Sequence, residues 1–178
     1  VKVAGAESVS DDDIRFAVDA ALREVNDQMS TYLESSEITR FNQSTSTDWF
    51  AVSDEFALVV DFAQKLSAKT GGAFDVTIGP LVNLWSFGPD KSKRQVPSRD
   101  TIESTLEKTG FQRLEVRLDP AALRKSVPEL QVDLSSIAKG HGVDRVIDRL
   151  ATFGIGDAFV EIGGEVRTVG DKPGGPWR

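Results

Sequence analysis

The sequence predicts an α+β fold, with helices packed on mostly antiparallel strands. Two observations carry this expectation. Apolar residues recur at three- and four-residue steps through Ile14–Met29, Phe56–Leu66 and Ile137–Leu150, the period of helices with one buried face. Short apolar runs of strand length, separated by glycine, proline and aspartate, fill much of the chain between and after them. At 178 residues and 19.4 kDa the chain amounts to one domain or a large piece of a bigger one. A chain of this size buries about 70% of its unfolded surface, enough for a core.

Taken in order, Ser10-Asp11-Asp12-Asp13 supplies an N-cap and acidic first-turn residues for a helix from Ser10 to Tyr32. Its inward face is Ile14, Ala17, Val18, Ala21, Leu22, Val25 and Met29. A polar loop is expected over Glu34–Asp48. A second helix follows over Ser53–Lys69, stopped by Thr70-Gly71-Gly72, where glycine supplies the left-handed residue after the last turn. Ala73–Gly88 reads as a short strand carrying Asp75 and Thr77 on one face, then a tight turn at Gly79-Pro80, then an irregular buried segment. A third helix is expected over Ser98–Thr109, closed by Gly110. Strands are expected at Phe111–Leu118, Ala122–Val127 and Leu130–Leu134, then a helix over Ser135–Phe153 with Gly154 as its stop. The last unit is Ala158–Ile162, Gly163-Gly164 and Glu165–Val169. Gly170–Pro176 reads as a hairpin connection with only Trp177 and Arg178 beyond it, so the native protein is expected to continue.

Composition narrows the chemistry. A net charge of −7 and a pI near 4.8 leave no basic stripe for nucleic acid and no polybasic membrane anchor. Apolar stretches such as Phe56–Val60 are too short to span a bilayer, and the start of the chain has no signal-peptide pattern. With no cysteine, disulfides, thiolate metal sites and thiol nucleophiles are excluded. With one histidine, His141, a His-rich metal site is excluded too, and any metal would take oxygen ligands, as Mg²⁺ or Ca²⁺ does.

Three segments combine glycine, acid and hydroxyl groups. In Val132–Gly140 a strand ends and a helix begins; Ser135 or Ser136 can cap it, Asp133 precedes it and Lys139 follows in the first turn. Backbone N–H groups at such a start attract anions such as phosphate, although an ordinary capped helix with a solvated lysine has the same sequence. In Thr70–Pro80, the face bearing Asp75 and Thr77 is either a ligand-facing surface or a turn in which Asp75 caps local backbone. In Glu161–Glu165, two glycines inside a strand pattern signal either a bulge or a close backbone approach by a ligand. No GxGxxG or P-loop pattern occurs.

Together these segments resemble the FAD:protein FMN transferases, the ApbE family. The resemblance rests on Ser30-Thr31-Tyr32 with Ser36-Glu37-Ile38 and Arg40-Phe41-Asn42, on Thr70–Pro89, on Asp133–Val146 and on Ile162–Gly170, in the family's order and at its intervals. It covers nearly the whole chain and implies that residues 1–178 are the N-terminal FAD-binding portion of a flavin transferase, with a two-layer core and FAD in a cleft beside a smaller lobe. It implies Mg²⁺-dependent cleavage of FAD, transfer of FMN to a threonine or serine hydroxyl of an acceptor protein, and release of AMP. Tyr32 would pack against FAD; Ala73, Phe74, Asp75 and Thr77, with Gly163 and Gly164, would line the flavin nucleotide site; Asp133 and Lys139 would contact FAD at the reacting centre; Ser136 would help hold Mg²⁺. The acceptor would be a subunit of a membrane redox complex, and the location the bacterial periplasm.

The family usually has tyrosine where His141 stands, so His141 reads as a surface substitution rather than a catalyst. The family's early Met-Gly-Thr motif and its C-terminal region, with the principal Mg²⁺ ligands, are not in these residues. The 178 residues alone are therefore expected not to transfer FMN efficiently. Two competing readings stand beside transfer: an FAD pyrophosphatase giving FMN and AMP, and a non-catalytic flavin-binding or delivery module.

Overall fold

The computed structural model describes residues 1–88 and 96–177. Pro89, the last residue of the central motif, and Arg178 lie outside the described residues. The elements, in chain order, are β1 (Lys2–Ala4), α1 (Asp11–Met29), α2 (Glu37–Gln43), β2 (Phe50–Ala51), α3 (Asp54–Lys69), α4 (Gly79–Leu84), α5 (Arg99–Leu106), β3 (Leu114–Leu118), β4 (Ala121–Lys125), α6 (Ala138–Ala151), β5 (Asp157–Ile162) and β6 (Glu165–Val169). The fold is α+β, and its named strands pair antiparallel. The chain divides into two compact units, Val1–Asn26 with Ser135–Arg178, and Asp27–Leu134.

The first unit is a three-stranded sheet, β1-β5-β6, with α6 packed on it. Val143, Val146, Ile147 and Leu150 recur along one stripe of α6 and meet Ala158 and Val160, alternate residues of β5, together with Ala21 of α1. The β5–β6 turn places Gly163 at φ 57° and Gly164 at φ 99°, backbone that glycine adopts without strain. Lys172 and Gly175 pair across a further tight turn inside Gly170–Pro176.

The second unit is a sheet in the order β2-β4-β3, with α3 against β3 and β4. Ser53 caps α3 by accepting from the Phe56 amide, and the helix buries Phe56, Val59, Val60 and Ala63. At its end the Gly72 amide bonds to Ser67 O and the Gly71 amide to Ala68 O, with Gly71 at φ 61°. Gly71 is the left-handed residue expected after the last turn, and the paired bonds close the helix. The Gln64 amide nitrogen reaches Phe111 O at 2.9 Å and also Leu114 O, tying α3 to the start of β3.

Several expected elements differ. Glu34–Asp48 is not a plain loop: Glu37–Gln43 forms α2, capped by Ser36 and anchored by buried Ile38 and Phe41. Asp75–Thr77 is a turn rather than a strand, and the segment after it is α4, with proline at its first turn. Phe111–Arg113 is a single 3₁₀ turn, so β3 begins only at Leu114. Among the described residues Leu130–Leu134 forms no ladder, and its one bridge joins Gln131 to Ile78 in parallel. α6 starts at Ala138, not Ser135, and its N-cap position is Ile137, without a side-chain cap. The N-cap position thus falls after both serines. The sequence reading also passed over β1 and β2, which are three and two residues long.

Candidate functional site

In the second unit, Leu130–Asp133 is held from two sides. The Asn42 side chain, on α2, pairs with the Val132 backbone in both directions: Nδ2 donates to Val132 O at 2.8 Å and the Val132 amide donates to Oδ1 at 2.7 Å. On the other side the Asp133 amide donates to Val76 O at 2.8 Å, beside the Ile78–Gln131 bridge. Gly79 permits this approach, because a Cβ there would lie 2.8 Å from Gln131 O.

A cavity of about 280 Å³ opens beside this segment. Thr39, Asn42 and Gln43 of α2 form one wall. Gln131, Val132 and Asp133 form another, and Gly79, Asn83 and Thr31 complete the lining. Its volume is at the low end for small-molecule pockets, with room for one portion of a dinucleotide. Amide and hydroxyl side chains dominate its polar groups, which suits hydrogen-bonding recognition more than charge pairing. Asp133, 9% exposed, is its carboxylate.

Of the residues singled out in the sequence, Asp133 lines this cavity, and Tyr32 follows the lining Thr31 in sequence and is 68% exposed. Ala73 and Phe74 sit in the turn after α3, where the Phe74 amide bonds to Thr70 Oγ1 at 3.1 Å. Asp75 and Thr77 meet each other. Asp75 Oδ1 accepts from the Thr77 amide and Thr77 Oγ1, each at 2.7 Å, and Oδ2 accepts from the Phe111 amide at 2.8 Å. The buried Thr77 hydroxyl accepts from the Gly110 amide at 2.7 Å. The pair thus fastens the turn after α3 to the turn before β3.

Lys139, Ser136, Gly163 and Gly164 belong to the first unit. Lys139 lies in the first turn of α6, where a cation opposes the positive end of the helix dipole. Its Nζ is 2.8 Å from Glu165 Oε2 and donates to Gly163 O at 3.2 Å. The Lys139 ammonium in turn holds the Glu165 carboxyl below the usual carboxylate range. A Cβ on Gly163 would lie 3.1 Å from Lys139 Cδ, so glycine lets the lysine stem cross the turn. Ser136 is in the exposed turn before α6, and His141 is half-buried on α6. Among the described residues no three His, Asp or Glu side chains gather as a cation site.

Sequence reasoning missed Thr39, Gln43, Asn83 and Gln131 as cavity residues. A signal exists for two of the lining positions. Asn42 sits beside the apolar pair of α2, and Gly79 precedes proline inside an apolar run, where glycine marks a close backbone approach.

These features define an α+β protein with a small cavity, mostly apolar and bordered by amide and hydroxyl groups, and a lysine-bearing helix start. The profile of the ApbE family matches residues 1–178, and the chain belongs to that family. It is 50% identical over 166 residues to an FAD:protein FMN transferase of Vibrio cholerae, covering 93% of this chain and 49% of the relative. It is 42% identical over 165 residues to one of Haemophilus influenzae, covering 90% of this chain and 48% of the relative. Among solved structures, the flavin transferase ApbE from Vibrio cholerae matches with a TM-score of 0.91 and 47% identity over 96% of this chain and 55% of that one. The apo flavinyl transferase ApbE of Pseudomonas stutzeri matches with a TM-score of 0.88 and 38% identity, over 96% of this chain and 56% of that one. The chain spans about half the length of the curated relatives it matches.

Proposed function

We propose that this chain is the FAD-binding portion of an FAD:protein FMN transferase. In the proposed reaction a threonine or serine hydroxyl of an acceptor protein attacks the FMN phosphorus of FAD. A new P–O bond forms, the bond from that phosphorus to the bridging oxygen breaks, AMP leaves with the bridging oxygen, and the hydroxyl proton is released. The observation that carries this reading is the start of α6: its N-cap residue, Ile137, supplies no side-chain hydrogen bond, and Lys139 is fixed in its first turn by Glu165 and Gly163 O. The backbone amides of a helix start and one ammonium suit the charge of a diphosphate. The cavity beside Asp133 supports the same reading, because its amide and hydroxyl lining can recognise one portion of the nucleotide. Tyr32, Ala73 and Phe74 are proposed to pack on FAD. Asp75 and Thr77 act from behind, holding the turn that presents them.

The nucleophile comes from the acceptor, so the chain needs no activated serine or cysteine of its own. Magnesium dependence belongs to the proposal through the family resemblance, with Ser136 as this chain's ligand. The described residues do not by themselves make a cation site. The acceptor is proposed to be a subunit of a membrane redox complex and the location the periplasm. Among the described residues no helix is long and apolar enough to cross a membrane.

The test is to incubate the full-length protein with FAD, with and without an acceptor protein and with and without Mg²⁺, and to measure AMP. Acceptor-dependent and Mg²⁺-dependent release supports transfer. Equal release without acceptor identifies a pyrophosphatase, and FAD binding without AMP identifies a flavin-delivery module.

A further inference from the structure

Lys125, the last residue of β4, is 1% exposed. Its Nζ donates to Phe41 O at 3.2 Å and to Leu130 O at 3.0 Å, and lies 5.0 Å from the Phe41 ring centroid. Among the described residues it forms no ion pair. Glu129 acts on the ammonium only at longer range, and an ammonium buried without a direct ion pair is a poor source of stability, so an apolar side chain of similar volume fills such a site at least as well. What the ammonium adds is local. Phe41 O is in the last turn of α2, where a cation suits the helix dipole and where carbonyls lack helical partners. Leu130 begins the segment that carries Asp133.

Lys125 therefore joins residue 41 to residue 130, and Asn42 joins residue 42 to residue 132. These are two successive ties between the same two stretches of chain. Those stretches are the two walls of the cavity, with Thr39, Asn42 and Gln43 on one and Gln131, Val132 and Asp133 on the other.

We infer that Lys125 is a positioning residue: its buried ammonium fastens the end of α2 to Leu130 and so fixes the separation of the cavity walls and the placement of Asp133. Its importance for FAD rests on the functional reading above; its effect on the walls does not.

The experiment compares full-length wild type with Lys125→Met and Lys125→Gln. It reads urea stability, hydrogen exchange at the Val132 and Asp133 amides against those of α3, and the FAD dissociation constant by titration. The Met variant is expected to be at least as stable as wild type. Its Val132 and Asp133 amides are expected to exchange about tenfold faster with α3 unchanged, and FAD to bind about tenfold more weakly. The Gln variant, which keeps one amide donor, is expected to fall between. If the Met variant does not fold, the Gln variant is read in the same way. Wild-type exchange and affinity in whichever variant folds, or failure of both to fold, overturns the inference. If wild-type protein binds no FAD, the functional reading fails, and the exchange comparison still decides the role of Lys125.

Discussion

Asp75 accepts three hydrogen bonds, two from Thr77 and one from the Phe111 amide, and this decides what its removal does. Asp75→Ala leaves two backbone amides without their partner, at a cost of about 2–4 kcal/mol in urea unfolding. Loss of FAD binding with unchanged stability would show instead that the carboxylate serves the ligand directly. Lys139 gives the opposite expectation. It is half-exposed and paired with Glu165, so Lys139→Ala should leave stability within about 0.5 kcal/mol and weaken FAD binding about tenfold or more. Asp133→Ala should weaken FAD binding by a similar factor without unfolding the protein. Wild-type affinity in both variants contradicts the assignment. Lys125 carries the pH dependence. Burial pushes its ammonium down from 10.5 to about 8. Between those values the unfolded chain binds more protons than the folded one, so this group makes stability rise with pH across the window. Below pH 8 both states are protonated and the burial penalty is fully present. The rise, about 3 kcal/mol by the spacing of the two values, should vanish from stability-against-pH curves of Lys125→Met.

At the scale of elements, periodicity was legible where it ran long. α3 and α6 follow the three-and-four spacing over several turns, and β5 and β6 flank their two-glycine turn, so each is found in its expected stretch, with α6 beginning three residues late. α2 was not legible, because seven residues with two apolar anchors, Ile38 and Phe41, give no sustained period; the Ser36 cap was its one local sign. Leu130–Leu134 misled for the opposite reason. Its alternating apolar residues are buried as a strand's would be, but Asn42, Lys125 and the bridge from Ile78 satisfy its backbone in place of a ladder. The cavity inherits this opacity, since its walls come from one element that was too short to read and one segment that was misread. Its tightest backbone approach was more visible. Gly79→Ala drives a Cβ into Gln131 O and should destabilise by about 1–3 kcal/mol, whereas Gly156→Ala, with open space around it, should change stability by less than about 1 kcal/mol. Equal unfolding midpoints for the two variants would remove the close approach at Gly79 from the account.

For the whole molecule, the motifs carried what periodicity could not. The resemblance ran through Tyr32, Asp75, Asp133 and Lys139 in order, and the chain's place in the ApbE family agrees with it. Structure adds a division of labour: Asp133 borders a cavity, Lys139 is set by a glycine turn, and Asp75 and Thr77 tie two loops together. The most direct measurement is mass spectrometry of a candidate acceptor after incubation with the full-length protein, FAD and Mg²⁺. The account predicts that one FMN is added to a threonine or serine, with an equal amount of AMP released. An unmodified acceptor in the presence of consumed FAD, or FAD left intact by folded protein, would contradict it.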